Sequence, residues 1–152
     1  MAATNKNTAV LEEILTALKL ITSGSVYNYD YGLITRNRID HSAMNDYPTI
    51  EIWQLPADDE ILANRTYLRK LNIYIVVTKD TSSDVVTSIK EDTVSKMKQD
   101  VLNRLSIALV DQEFTIIEHM EPTREEDAIT GDDRIQGGIS ITFSFQHLYN
   151  AF

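Results

Sequence analysis

The sequence predicts an α+β fold in which two helices flank an antiparallel or mixed β-sheet, in the order α-β-β-β-α-β-β. Two segments, near residues 8–22 and from Ser88 to Ala108, repeat apolar residues at three- and four-residue steps, as amphipathic helices do. The segments 71–77 and 139–147 alternate apolar and polar residues, the period of a half-buried strand. Because only two helices are available, one face of the sheet is expected to be covered and the other partly open.

The first helix and the segment after it differ in period. The helix over 8–22 ends before Gly24, since glycine commonly follows the last helical residue. Its apolar face is formed by Val10, Leu11, Ile14, Leu15, Leu18 and Ile21. Beyond it, Tyr27, Tyr29 and Tyr31 alternate with polar residues, which in a strand would place three phenols on one face.

Two more strands are expected before the second helix. One begins at Tyr47-Pro48 and turns Trp53 away from the face of Ile50 and Ile52. The next begins near Arg65 and ends at Val77. The acidic run 56–60 between them has the composition of a loop.

The second half of the chain is expected to hold a helix and two strands. The helical period returns near Asp84, but Ser88 and Glu91 have the spacing of a capping box, which favours Ser88 over Asp84 as the start of the helix. A short strand follows over 114–117, and residues 121–134, which are rich in carboxylates, are expected to form a mobile acidic loop. Gly137-Gly138 then permits a bend or bulge before the last strand.

Length and composition restrict the class of protein. A chain of 152 residues with a net charge of -9 predicts a single domain, 1–152, with a flexible N-terminus over 1–7. A pI near 4.7 argues against a grip on nucleic acid, which depends on clustered Lys and Arg. The absence of cysteine excludes disulfides, thiolate metal sites and cysteine nucleophiles, and fits a reducing compartment. No signal peptide or apolar membrane span is recognisable.

No catalytic, cofactor or metal site is predicted. The three histidines lack metal-ligand spacing, and the nearest approach to a cluster, Asp40-His41 with Asp46, is more simply a solvated turn. The carboxylates at 58–60 and 125–127 have no apolar surroundings to shift a pKa, so solvated surface charge is the simpler interpretation.

Aromatic and basic residues in the first third of the chain are the candidates for an interface. They are Tyr27, Tyr29, Tyr31, Trp53, Arg36 and Arg38. Tyrosine and tryptophan bury a large area while keeping a polar tip, which suits protein interfaces, but packing in the core explains the same residues. A base-stacking surface is the third interpretation, and it is disfavoured by Asp30 and Asp40 beside the two arginines.

The pattern as a whole resembles the tail terminator proteins of long-tailed bacteriophages, also called tail completion or head-to-tail joining proteins. The resemblance covers 8–149 and rests on element order and on three strand segments. These segments are Asp46-Tyr47-Pro48-Thr49-Ile50-Glu51-Ile52, Leu71-Asn72-Ile73-Tyr74-Ile75-Val76-Val77 and Gly138-Ile139-Ser140-Ile141-Thr142-Phe143-Ser144-Phe145. Other small neck and tail components share such features.

The resemblance implies a structural virion protein without a cofactor. Such proteins form a ring, commonly a hexamer, that caps the tail tube, ends its polymerisation and joins the tail to the head connector. DNA passes through the lumen without being gripped, and assembly takes place in the cytoplasm of the bacterial host. The alternative is another neck component, or a small cytoplasmic α+β domain that binds a ligand or regulates a partner.

Overall fold

Two helices and six strands make up the described parts of the chain. The computed structural model describes residues 6–21, 26–36, 48–63, 66–80, 87–130 and 134–148. In chain order the elements are α1 (Lys6–Leu18), β1 (Leu33–Thr35), β2 (Thr49–Gln54), β3 (Asp58–Ala63), β4 (Thr66–Asp80), α2 (Thr87–Val110), β5 (His119–Thr130) and β6 (Arg134–Leu148).

The six strands form one mixed sheet. Its main path is β1-β2-β4-β6-β5, in which β1 runs parallel to β2 and the other neighbours are antiparallel. The long strand β4 pairs with β6 along 66–80 on one side. On its other side β4 pairs first with β3 and then with β2. The predicted α+β class with a mixed sheet is therefore confirmed, with one strand more than the predicted order.

The helices and one face of the sheet enclose the core. Leu71, Ile73, Ile75 and Val77 alternate along β4 and are buried, and the register sets Leu71 opposite the buried Phe143 of β6. Burying one such side chain contributes about 1.5–3 kcal/mol. The helices add further buried residues to this cluster: Val10, Leu11, Ile14 and Leu18 from α1, and Val94, Met97, Val101 and Leu105 from α2.

The side chain of Arg104 ties the two helices together. It is 5% exposed in α2 and donates from Nε to the Ala17 carbonyl oxygen of α1 at 2.7 Å. Its guanidinium also pairs with Glu113, just beyond the end of α2. The Ala17 carbonyl near the C-terminus of α1 thereby accepts two hydrogen bonds, one from Arg104 and one from the Leu20 amide at 3.2 Å.

The glycine pair Gly137-Gly138 lies inside β6, where the pairing with β4 is continuous. A Cβ at Gly137 would lie 2.9 Å from Val94 Cγ1 of α2, and one at Gly138 would lie 2.0 Å from the Tyr74 hydroxyl oxygen. The two glycines therefore let a helix and a tyrosine approach opposite faces of the same strand. The prediction of a bend or bulge here is wrong, and a register shift occurs instead in β5, between Pro122 and Arg124.

Two acidic segments that the sequence predicts as loops are strands. Of the mobile loop predicted at 121–134, residues 121–130 belong to β5 and pair with β6, while 131–133 lie outside the described residues. Similarly, residues 58–60 belong to β3 and pair with β4. Acidic residues are poor strand formers, but both segments lie at sheet edges, where ladder bonds form while the carboxylates stay hydrated.

Two predicted strands are shifted or missing. Residues 114–117 form a bend and irregular chain rather than a strand, because the amides of 115, 116 and 117 bond to the Glu13 carboxylate of α1 instead of to a neighbouring strand. Of the tyrosine-rich segment predicted as a strand over 26–39, the structure describes residues 26–36, and among these only Leu33–Thr35 is a strand. Helix α1 begins at Lys6, inside the terminus predicted to be flexible, and ends at Leu18 rather than near 22.

Candidate interaction surface

The tyrosine segment lies against α2 and is held there by one buried carboxylate. Asp100, with no exposed surface, accepts hydrogen bonds from the Asn28 amide at 2.8 Å and the Tyr29 amide at 3.1 Å. It also accepts from Asn28 Nδ2 at 2.9 Å and from the Tyr31 hydroxyl at 2.9 Å. A buried carboxylate is stable only with such donors, so the four bonds fix residues 28–31 on the helix.

The three predicted interface tyrosines are partly buried and pack against the core. They do not lie on one strand face, because residues 28–32 form a bend and irregular chain instead of a strand. Burial and the neighbouring Asp100 carboxylate both raise the pKa of Tyr31 far above that of a free phenol. Tyr31 thus takes part in packing and hydrogen bonding within the subunit, and Tyr27 likewise contacts the buried side chain of Arg104.

Of the two arginines predicted as interface candidates, Arg36 lies within the described residues and Arg38 does not. Arg36 Nη1 pairs with Glu12 Oε1 of α1 at 3.2 Å, and both side chains are partly exposed. Leu33 of β1 exposes 47% of its surface, so the β1 end of the sheet combines an exposed apolar residue with the Arg36–Glu12 ion pair.

Trp53 lies on the sheet face opposite the helices, as its position beside Ile50 and Ile52 predicts. The register places it across from Tyr74, and the two rings meet edge to face with centroids 6.2 Å apart. Trp53 Nε1 donates to Glu51 Oε2 at 3.0 Å, and the Tyr74 hydroxyl donates to Glu126 Oε2 at 3.2 Å. Burial, followed by the Glu126 carboxylate, raises the pKa of Tyr74. These bonds hold both rings in fixed positions on this face.

Beside the aromatic pair, this face carries the buried Glu51 and Val76 and a set of hydrogen-bonded hydroxyl and amide side chains. Thr142 Oγ1 donates to Asn72 Oδ1 at 2.8 Å, and Asn72 Nδ2 donates to the Pro56 carbonyl oxygen at 2.9 Å. Gln136 Nε2 donates to Thr78 Oγ1 at 3.3 Å. The face is therefore preorganised and polar, and the Trp53–Tyr74 pair is its aromatic part.

The two borders of the sheet differ in chemistry. At one border, residues 121–126 of β5 are all exposed and carry Glu121, Glu125 and Glu126 beside Arg124. At the other border lie β1 and β3, and every residue of β3 is exposed, including the apolar Ile61 and Leu62. Sequence reasoning missed β3 and β5 because it assigned these acidic segments to loops.

The described parts of the chain contain no group of three or more His, Asp or Glu residues placed to hold a metal ion. Asp40, His41 and Asp46 lie outside those parts. Neither of the two described helices is long and apolar enough to cross a membrane.

No protein-family model matches the sequence, and no curated protein matches it significantly. The geometry of the sheet borders is therefore the basis for a functional proposal.

Proposed function

We propose that the chain is a structural subunit of a homo-oligomeric ring, of the kind formed by phage tail terminators. In this role the ring caps a tail tube, ends its polymerisation and presents a surface to the head connector. The observation that carries the proposal is that the end strands of one sheet, β1 and β5, present unlike surfaces.

A closed ring requires two different patches on each subunit, because every subunit meets one neighbour with each patch. The β5 border offers an exposed strand with three carboxylates and one arginine over 121–126. The β1 end offers the exposed Leu33 and the Arg36–Glu12 ion pair. Adding the β1 end of one subunit to the β5 border of the next would continue the sheet from copy to copy.

The charge of the chain suits passage of DNA better than binding. A net charge of -9 repels phosphate, and carboxylates facing a lumen would keep a duplex from adhering to the wall. DNA therefore passes through the ring without binding to it, and the binding partners are the tube protein, the connector and further copies of this chain. The place of action is the neck of the virion.

Native mass spectrometry and negative-stain microscopy of the protein, alone and mixed with purified tail tubes, test the proposal. We expect ring-shaped caps at one end of the tubes, and tubes that no longer lengthen when tube subunits are added. A protein that stays monomeric at high concentration and leaves the tube ends bare would refute the ring.

A matched pair of variants tests the part played by β5. Reversing two exposed charges with Glu121→Lys and Glu125→Lys should abolish capping while leaving the melting temperature within a few degrees of wild type. Asp111→Lys, an exposed charge in the turn after α2, should cap tubes as wild type does. Equal capping by both variants would remove β5 from the ring contact.

A further inference from the structure

We propose that a groove across the sheet face opposite the helices binds an extended segment of a partner protein that carries two arginines. The groove has a volume of about 430 Å³ and crosses the strands. Leu55 and Pro56, just beyond β2, lie at one end, and Thr123 of β5 lies at the other. Asn72 of β4 and Ser140 of β6 form the floor between them.

The polar groups of the groove are held in place by bonds within the chain. Asn72 Oδ1 accepts from the Thr142 hydroxyl at 2.8 Å, and Asn72 Nδ2 donates to the Pro56 carbonyl oxygen at 2.9 Å. The Thr123 hydroxyl donates to the Ser140 carbonyl oxygen at 3.1 Å. A partner therefore meets a surface that needs little reordering, which lowers the entropic cost of association.

The basic side chains beside the groove are already paired. On β4, Lys70 Nζ lies 4.0 Å from Glu60 Oε2. On β5, Arg124 Nη2 lies 2.9 Å from Glu126 Oε1. Each positive charge is thus balanced by a carboxylate of the same chain.

One carboxylate without such a balance lies toward each end of the groove. Asp58 lines the groove at the β3 side, where it accepts a 3.5 Å hydrogen bond from Asn72 Nδ2. Glu121 of β5 belongs to the same sheet face, because it pairs directly with Thr142. Among the described residues, no lysine or arginine nitrogen lies within 4.0 Å of either carboxylate. The groove is therefore complementary to a ligand with two positive charges.

The separation of these two carboxylates indicates how the partner lies. Strands β3, β4, β6 and β5 are successive neighbours, and the register offsets Asp58 from Glu121 by two residues along β4. Three strand spacings and this offset amount to about 16 Å. In an extended chain, residues i and i+4 point to one side and lie about 14 Å apart, and long basic side chains cover the remainder.

The aromatic pair beside the groove favours arginine over lysine. Tyr74 lies two residues from Asn72 on the same face of β4, and Trp53 lies opposite Tyr74. A planar guanidinium stacks on aromatic rings while it bonds to a carboxylate through two donors, whereas an ammonium group is a compact point charge.

The groove is separate from the proposed ring contact and does not depend on it. The ring contact uses the outer edges of β1 and β5, whereas the groove uses side chains on the face of the sheet. A second copy of this chain, with a net charge of -9, is a poor source of positive charge. The occupant we infer is therefore a basic segment of a different protein.

Two peptides of identical composition test the groove: acetyl-Arg-Ser-Ser-Ser-Arg-amide and acetyl-Arg-Arg-Ser-Ser-Ser-amide. NMR titration of the isotope-labelled chain at low ionic strength measures where and how tightly each peptide binds. The first peptide should bind at least about threefold more tightly and shift the amide resonances of 72, 123 and 140. Equal affinities, shifts confined to other residues, or no binding at millimolar peptide would overturn the proposal.

A matched pair of variants tests the charge at one end of the groove. Asp58→Asn should weaken binding of the first peptide by at least about threefold. Asp111→Asn removes an exposed charge in the turn after α2 and should bind this peptide as wild type does. Equal weakening by both variants would exclude the groove as the binding site.

The same spectra distinguish the other occupant. If the resonances of 72, 123 and 140 shift when the protein concentration alone is raised, a second copy occupies the groove and the proposal is wrong. Both measurements use the chain without tail tubes, so a negative result here leaves the capping experiment for the ring unaffected.

Discussion

The Tyr31 hydroxyl donates a 2.9 Å hydrogen bond to the buried Oδ2 of Asp100, joining the segment after α1 to the middle of α2. The same carboxylate receives the Asn28 and Tyr29 amides. One side chain thus replaces the strand neighbour that these amides would otherwise need.

Asp100→Asn should destabilise the protein by about 1–3 kcal/mol. The asparagine keeps one acceptor oxygen but turns an NH₂ group toward donors that now lack a partner. Urea unfolding followed by circular dichroism measures the loss. Asp92→Asn, at an exposed position of the same helix that pairs with Lys96, is the control and should change stability by less than about 0.5 kcal/mol. An Asp100→Asn protein as stable as wild type would show that the carboxylate does not hold the segment.

The Tyr31–Asp100 pair also predicts a loss of stability at alkaline pH. The pKa of Tyr31 is raised in the folded protein, so the folded state keeps a proton that the unfolded state releases. This contribution is fully present below the pKa of a free phenol, near 10, and decreases as pH rises above that value. Melting temperatures between pH 8 and 11.5 should therefore decline less steeply for Tyr31→Phe than for wild type. Equal slopes of melting temperature against pH for the two proteins would contradict the raised pKa of Tyr31.

Gly138→Ala should cost about 1–3 kcal/mol, because the new methyl group meets the ring of Tyr74. Adding Tyr74→Ser should recover part of that loss, since it removes the atoms that the methyl group meets. A double-mutant cycle in urea measures the coupling. Gly137→Ala is the matched control: its methyl group meets Val94 on the other face, so Tyr74→Ser should not rescue it. Additive effects at 138 and 74 would refute the steric explanation.

Glu13→Gln should destabilise the turn after α2 by about 1–2 kcal/mol. The Glu13 carboxylate accepts the Thr115 amide at 2.7 Å, the Ile116 amide at 3.1 Å and the Thr115 hydroxyl. Hydrogen exchange of the 115 and 116 amides should accelerate in the variant. Glu12→Gln, whose carboxylate is exposed and pairs with Arg36, should leave those amides unchanged. Unchanged exchange in Glu13→Gln would show that the turn is held by other contacts.

The spacing of apolar residues correctly predicted the elements that bury a single face against the core. The alternation of 71–77 and the three- and four-residue steps of α2 are visible in the sequence, because each element buries one face against the core. The strand states of 58–60 and 121–130 are decided by pairing with β4 and β6, which no local composition reveals. The strand predicted for the tyrosine segment is wrong for a related reason. Its alternation is typical of a strand, but the Asn28 and Tyr29 amides bond to Asp100, which is distant in sequence.

The continuous pairing of β4 with β6 also bears on the order in which the chain folds. Thr66 pairs with Leu148 and Asp80 with Arg134, so the central strand gains its full-length partner only when the last described strand has been synthesised. On a ribosome, β2 and β3 can meet β4 early, but the side facing β6 stays open while α2 and β5 are made. Such distant pairing is slow and leaves an aggregation-prone edge exposed. Synthesis of this protein should therefore be unusually sensitive to interruption after α2, and fragments that stop there should require chaperones to remain in solution.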